Sequence, residues 1–290
     1  SCNILFLEEG IMKMISRKYT FSWIIFTLLS LLVALIFIFP MYWAIATSLK
    51  QETEVIDPDW SFFPRILTIA AYIDVVLKSQ IGTWYINSIM TSFGITFLVI
   101  IISMPCGYAL SQLNFPLRKT LLAAVIVSIM VPGTALVIAL FVLIADLELI
   151  NTWSGVILPQ VLSPVVVIVY KQFFDQVPKE LREASIIDGA NEFQILLRVY
   201  LPLNWGITTA LALVTFIGAW NNFFWPFIMT TQQDMFTVPV AITSVDDAFG
   251  IFLAREMAVA MLAAGPVVAF YLIFQRRVTE AIMLSSGIKG

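Results

Sequence analysis

Six stretches of the chain, residues 21–43, 88–110, 121–145, 156–174, 206–229 and 257–274, run for 18 to 25 residues each, and Lys171, near the end of the fourth, is the only charged side chain in any of them. At 1.5 Å per residue, helices of that length measure roughly 27–38 Å, which matches a hydrocarbon core of about 30 Å. The rest of the composition agrees: 60% of the 290 residues are hydrophobic and 12% charged, and the mean hydropathy is +0.94. The chain therefore reads as an all-α polytopic membrane protein with six transmembrane helices. Gly94, Pro105, Gly107, Pro132, Gly133, Pro159, Pro164, Gly218, Pro226, Gly265 and Pro266 fall inside the runs. Backbone groups freed by these residues have to be re-satisfied by neighbours, so kinked and tightly packed helices are expected.

Residues 178–202 cannot belong to the bilayer. Lys179, Glu180, Arg182, Glu183, Asp188, Glu192 and Arg198 all fall there, and at about 2.5–3.5 kcal/mol apiece at bilayer depth they would cost roughly 20 kcal/mol to immerse. Yet the segment carries the marks of two short helices. Pro178 suits a first helical position, Lys179 and Glu183 stand four apart, and Gly189 can adopt the left-handed conformation that ends a helix. Asn191 then supplies an N-cap with Gln194 at the reciprocal capping-box position, ahead of Phe193, Leu196, Leu197 and Tyr200 at spacings of three and four. Two readings fit: an amphipathic loop lying on the lipid surface, or a helix–turn–helix whose apolar stripe presses on a partner protein.

The spacing is more specific than the amphipathicity. Glu183-Ala184-Ser185, three residues, Gly189, nine residues, Val199, one residue and Leu201-Pro202 resemble the EAA loop of ABC importer permease subunits, E-A-A-x3-G-x9-I-x-L-P. Ser185 and Val199 are small departures from it. Asp188-Gly189-Ala190 and Leu201-Pro202-Leu203 are similar to the carbohydrate-uptake branch, that of the maltose and trehalose importers, although Gly206 stands where that branch often has proline. The resemblance spans roughly residues 87–290. It implies the type I permease fold in a bacterial inner membrane, with the loop as a cytoplasmic coupling helix between the fourth and fifth spans. Glu183, Ala184, Ser185, Asp188, Gly189, Ala190, Phe193, Leu201 and Pro202 would dock in a cleft of an ATPase. The implied assembly holds a second related permease, two ATPase subunits that bind ATP and Mg, an extracytoplasmic sugar-binding protein and membrane lipid. It would import a carbohydrate, an oligosaccharide or glycoside, with no nucleic acid involved. This chain would be no enzyme and would bind no cofactor or metal.

Three further places carry candidate residues. In the loop 230–254, the resemblance implies contacts to the binding protein through Asp246, Asp247 and Phe249; an ordinary connector is the alternative. Asn87 and Thr91 on one run, and Trp220, Asn221 and Asn222 on another, are candidates for the translocation path, since amides, hydroxyls and aromatic rings can contact sugars. The same residues equally serve as interhelical glue. The Trp220-Asn221-Asn222-Phe223-Phe224-Trp225-Pro226 run resembles a W-N-x-F-x-W-P run of the branch. The tail resembles a G-G-x-K-G ending with Ser286 for the first glycine, which implies that Gly287, Lys289 and Gly290 insert between the ATPases.

Charge distribution sets the expected topology. Of the 16 Lys and Arg, all but Lys50, Arg65, Lys78 and Arg255 fall on one side, which the positive-inside rule makes the cytoplasm, with both termini and residues 178–202 there. The expected divisions are a cytoplasmic leader at 1–20, a first span at 21–43, an extracytoplasmic loop with a short surface helix at 44–86, a permease core at 87–275 and a cytoplasmic tail at 276–290. Met12 or Met14 is a candidate natural start, and signal-peptide cleavage after Ala44-Ile45-Ala46 is a rival reading of the first run. The chain has no histidine, only Cys2 and Cys106 as cysteines, and no G-x4-G-K-[ST] loop. Histidine-based catalysis, a disulfide framework and nucleotide binding by this chain are thereby set aside. An ion- or proton-coupled secondary transporter is the alternative function; it calls for charges deep in the spans and an internal duplication, whereas Lys171, near the end of its run, is the one charge in any of them and no duplication is evident.

Overall fold

The computed structural model describes the backbone of residues 2–59, 61–243 and 252–285, and the side chains of 23–59, 61–243 and 252–273. Among these residues every regular element is helical. The chain divides into two compact units, Ser1–Ile73 with Phe252–Met261, and Asp74–Ile251 with Leu262–Gly290.

The first unit holds α1 (Cys2–Ser48) and α2 (Glu52–Val55), followed by a loop and the beginning of α3 (Ala70–Lys78), the short helix expected within 44–86. Every side chain from Trp23 to Met41 is exposed, so this uncharged stretch is the part of the unit that lipid must cover. α1 continues past Trp43 to Ser48. There the polar contacts begin: Tyr42 donates to the Phe62 carbonyl at 2.8 Å, and the Ser48 and Tyr72 hydroxyls meet at 2.8 Å. Lys50, 4% exposed, donates to the Ser61 carbonyl and lies 5.2 Å from the Trp43 ring. The Glu52 carboxylate accepts the backbone N–H groups of Ala254 and Arg255, two of the unpaired donors at the start of the last helix, α15 (Leu253–Ser285).

The second unit is built on α4 (Ile81–Gln112), a 32-residue helix with α8 (Pro164–Asp175) and α12 (Trp205–Trp220) packed along it. Between α4 and α8 lie α5 (Arg118–Met130), α6 (Val137–Asp146) and α7 (Trp153–Ile157). After α8 come α9 (Lys179–Ile187), α10 (Glu192–Ile195), a π-helical turn at Leu196–Tyr200 and α11 (Leu201–Leu203). α12 is followed by α13 (Phe224–Met229) and α14 (Val238–Ile242). From Leu262 on, α15 belongs to this unit.

Three of the runs expected as single spans are broken. Residues 121–145 turn through 92° between α5 and the 3-10 turn that leads into α6, because Pro132 drives Val131 into an extended conformation (φ −79°, ψ 117°) and cannot donate a helical hydrogen bond. The run 156–174 bends by 49° where Pro164 opens α8 and Ser163 caps it, accepting from the Val166 N–H at 3.4 Å. The run 206–229 breaks at Asn221–Phe223, and the α10–α11 segment meets α12 at 85°. Three unbroken helices, Trp23–Ser48, Ile81–Gln112 and Leu253–Ile273, are long and apolar enough to cross a membrane, and the three bent pairs bring the total to six if each counts as one span.

Glycine sets how closely α4 and α8 approach. A Cβ on Gly107 would lie 2.6 Å from the Tyr170 Cβ and 3.0 Å from the Lys171 backbone nitrogen, whereas one on Gly82, at the other end of α4, would meet nothing within 4 Å. Gly107→Ala is therefore expected to destabilise the chain by about 1–3 kcal/mol, and Gly82→Ala to be neutral or slightly stabilising. Thermal unfolding of the two variants in detergent, compared with the unsubstituted chain, measures both.

Candidate functional site

The polar segment 178–202 folds as an elbow. α9 ends in a Schellman motif: Ala190 N–H donates to the Ser185 carbonyl and Gly189 N–H to the Ile186 carbonyl, each at 3.0 Å, with Gly189 at φ +82°. α10 starts two residues later with the capping box read from the sequence; Gln194 N–H donates to Asn191 Oδ1 at 2.9 Å and Asn191 N–H to Gln194 Oε1 at 3.0 Å. The Ser185 hydroxyl donates to the Leu181 carbonyl at 2.7 Å, so its polarity is absorbed by its own helix.

One ion pair spans the turn. The Arg182 guanidinium, on α9, pairs with Glu192 at the head of α10, and the Tyr108 hydroxyl of α4 donates to Glu192 Oε2 at 2.6 Å. Burial pushes the Glu192 carboxyl upward, but the hydrogen bonds from Arg182 and Tyr108 and the charge of Arg182 outweigh it and hold the group below the usual carboxylate value. The Tyr108 ring stands edge-on to Tyr200 at 4.9 Å and to Phe174 at 6.2 Å. The entry to the elbow is tied to the same turn of α4: Ser111 donates to Asp175 at 2.7 Å and Gln112 to the Phe174 carbonyl at 2.8 Å. Arg118 closes that end of α4, donating to the carbonyls of Leu110 and Ser111 at 2.9 and 2.8 Å.

The apolar stripe expected to face a partner divides in two. Leu196 and Tyr200, with Ile195, are buried in the chain's own core, while Phe193 is 66% and Leu197 37% exposed. What projects outward most is Phe193 from that stripe and, on the other side of the Gly189 turn, Ile187, 85% exposed. Glu183, Ala184, Asp188, Gly189 and Pro202 are exposed, and Ser185, Ala190 and Leu201 partly so. A stripe read at spacings of three and four assumes one regular helix, and the π-helical turn at Leu196–Tyr200 rotates its second half inward.

The candidates for the translocation path are mostly engaged within the chain. Asn87, 3% exposed, donates to the carbonyls of Asp234 and Phe236 at 2.7 and 3.0 Å and accepts from the Trp153 indole at 2.9 Å. Thr91 donates to the Asn87 carbonyl, and the buried Trp220 to the Ala263 carbonyl at 3.3 Å. Asn222 bridges the break before α13, donating to Gln160 Oε1 at 2.5 Å and accepting from the Trp225 N–H at 3.4 Å. Asn221 is exposed. Asp246, Asp247 and Phe249, and Gly287, Lys289 and Gly290, lie outside the described residues. Tyr108 and the Arg182–Glu192 pair escape a reading of the sequence: a tyrosine inside an apolar run, and two charges ten residues apart, carry no local pattern. Among the described residues no cluster of metal-ligating side chains occurs.

Comparison with known proteins places residues 99–280 in a match to the family described as binding-protein-dependent transport system inner membrane component. The arabinooligosaccharides transport system permease protein AraQ of Halalkalibacterium halodurans is 31% identical over 272 residues, 93% of this chain and 97% of that one. The sulfoquinovosyl glycerol transport system permease protein SmoH of Agrobacterium fabrum is 32% identical, covering 87% and 89%. The trehalose transport system permease protein SugB of Mycobacterium tuberculosis is 30% identical, covering 87% and 92%. The fold is similar, at a TM-score of 0.80 and 22% identity over 87% of this chain and 95% of the other, to a chain in the crystal structure of a bacterial ABC transporter involved in the import of the acidic polysaccharide alginate.

The elbow's ion pair has a pH signature. Glu192 has a lowered pKa in the folded chain, so its contribution is fully present above the unfolded carboxylate value of about 4.5 and disappears as pH falls through the lower folded value. Glu192→Gln is expected to cost on the order of 1 kcal/mol at pH 7, with allowance for the pair's partial exposure. The difference in melting temperature between the two chains should shrink toward zero below about pH 4, as measured across a pH series in detergent.

Proposed function

The chain belongs to the family of binding-protein-dependent transport system inner membrane components, and from that premise we propose that it is the permease subunit of an ATP-driven importer for an oligosaccharide or glycoside, coupled to its ATPase through the elbow at residues 178–202. Its relatives named for arabinooligosaccharides, sulfoquinovosyl glycerol and trehalose support the substrate class. The observation that carries the coupling is the pair of side chains left outside at the Gly189 turn, Ile187 and Phe193 at 85% and 66% exposure. Nothing within the elbow itself covers them, and a surface of that kind, rimmed by Glu183, Asp188 and Asn191, suits a cleft in a protein partner.

In this reading the three long helices, the bent pairs α5–α6 and α7–α8, and α12 cross the inner membrane, with both termini and the elbow in the cytoplasm. A second, related permease completes the pathway, two ATPase subunits bind ATP and Mg, and an extracytoplasmic binding protein delivers the sugar. Closure of the ATPases displaces the elbow as a unit and turns the helices from inward-open to outward-open. The loop with Asp246, Asp247 and Phe249 is the proposed contact to the binding protein, and the tail with Gly287, Lys289 and Gly290 a second contact to the ATPases. Asn221, with its amide in the open, is the path residue best able to meet a sugar; Asn87, Thr91, Trp220 and Asn222 would shape the pathway by holding its walls.

Gly189 offers the direct test. A Cβ there would meet nothing within 4 Å, but the backbone sits at φ +82°, so Gly189→Val strains the turn by about 1–2 kcal/mol without a clash. The expected outcome in proteoliposomes carrying the co-purified complex is normal insertion and ATP hydrolysis with sugar uptake per ATP reduced several-fold. Unchanged uptake per ATP, or a chain that co-purifies with no ATPase, would overturn the reading.

A further inference from the structure

The long helix α4 is anchored at both ends to segments far apart in the chain. At its first end Trp84 donates to the Gln233 carbonyl at 2.8 Å, Asn87 donates to the carbonyls of Asp234 and Phe236, and the Ser88 hydroxyl accepts the Val238 N–H at 2.8 Å. At its second end Tyr108 holds Glu192, Ser111 holds Asp175, and Gln112 holds the Phe174 carbonyl. Ser88 and Tyr108 are 1% and 3% exposed, so both anchors sit where a missing partner would leave a buried polar group unpaired. Twenty residues separate the two, about 30 Å along a helix. In between, Gly94 and Gly107 bring α4 so close to Ile157 and Tyr170 that a Cβ at either would lie 2.8 or 2.6 Å from its neighbour. Bending α4 would force those contacts apart.

We infer that α4 is a strut which carries the displacement of the elbow to the segment 233–238 at the opposite end of the unit, and that Tyr108 is the positioning residue that fastens the elbow to it. This rests on the reading of the elbow as the ATPase contact. The alternative route, along the chain into α12, passes through the π-helical turn and an 85° bend, where a push is turned sideways rather than passed on. α4 is one continuous helix from Ile81 to Gln112, with Pro105 inside it, and beside the contact of the Tyr108 and Tyr200 rings its hydrogen bond to the elbow is one hydroxyl. Glu192 is shared between Arg182, which moves with the elbow, and Tyr108, which belongs to the strut. With that oxygen gone the elbow keeps its own ion pair and its caps, and it moves without dragging α4.

The test uses the co-purified complex with its ATPase in proteoliposomes, in a chain with Cys2 and Cys106 replaced by serine. A fluorophore is placed on a new cysteine at one of two exposed positions, Arg198 in the elbow or Gln232 beside the far anchor. ATP with vanadate should change both signals in the otherwise unsubstituted chain. Tyr108→Phe should preserve the response at 198 and reduce that at 232 at least fivefold, in keeping with the size of coupling between linked sites. Ser88→Ala should do the same from the other end, and the double variant should lose no more than either single one, since both break one linkage; sites about 30 Å apart otherwise act additively. If Tyr108→Phe fails to assemble, Ser88→Ala, which leaves every contact of the elbow in place, decides alone. A full response at 232 in these variants, or additive losses, overturns the strut. A response at 198 with none at 232 in the starting chain overturns it as well. No response at either position overturns the coupling reading itself.

Discussion

Glu192 is a carboxylate on the first turn of a four-residue helix, held by a guanidinium from the helix before it and a phenol from the helix beneath. The order of the polar segment depends on that contact. Helices of nine and four residues are far below the length at which a helix is stable on its own in water. They persist because a Schellman motif closes one and a capping box opens the other, and because Ile195, Leu196 and Tyr200 are buried beneath them. Caps and burial fix each helix separately. The Arg182–Glu192–Tyr108 chain ties the two to one another and to α4, beside the packing of Tyr200 on the Tyr108 ring.

In lipid, tail carbon is as apolar as a leucine side chain, so burying apolar surface between helices gains little and backbone satisfaction decides where a helix can break. Each break here is repaired locally. Val131 N–H donates to the Ser128 carbonyl and Ala135 N–H to that of Pro132, which carries the chain around the 92° turn. Before α13, the Asn222 side chain reaches forward to the Trp225 N–H and sideways to Gln160, replacing the helical bonds lost at Asn221–Phe223. Asn222 and Gln160, polar groups inside apolar runs, are thereby accounted for.

Much of this was legible in the sequence because it is local. The apolar runs, the capping box at Asn191 and Gln194, and the left-handed residue at Gly189 each follow from neighbours within a few positions. The breaks were legible only in part: the prolines marked bends, but whether a bend becomes a kink or a full break depends on what can repair it. The outward face of the elbow was misread, since one π-helical turn changes the angular step that the spacing rule assumes. The joint between Tyr108, Arg182 and Glu192 was not legible at all, because its members are 74 and 10 residues apart and are brought together only by the packing of α4 beneath the elbow.

Of the places where the chain exposes apolar side chains, α1 and the elbow ask for different covers. Along α1 the exposed stretch from Trp23 to Met41 is continuous, surrounds the helix and holds no charge, which is the description of a helix in hydrocarbon. At the elbow Leu181, Ile186, Ile187, Phe193 and Leu197 are exposed, and charges of both signs, Lys179, Glu180, Glu183, Asp188 and Arg198, are exposed among them. A helix that rests on a membrane surface needs a broad apolar face with basic residues along its edge, because the cytoplasmic leaflet is anionic. The elbow's rim is mixed in sign, with Glu180, Glu183 and Asp188 exposed alongside Lys179 and Arg198. A border of mixed charge gives an anionic surface little net attraction, whereas paired charges of both signs set register and partner choice against a protein.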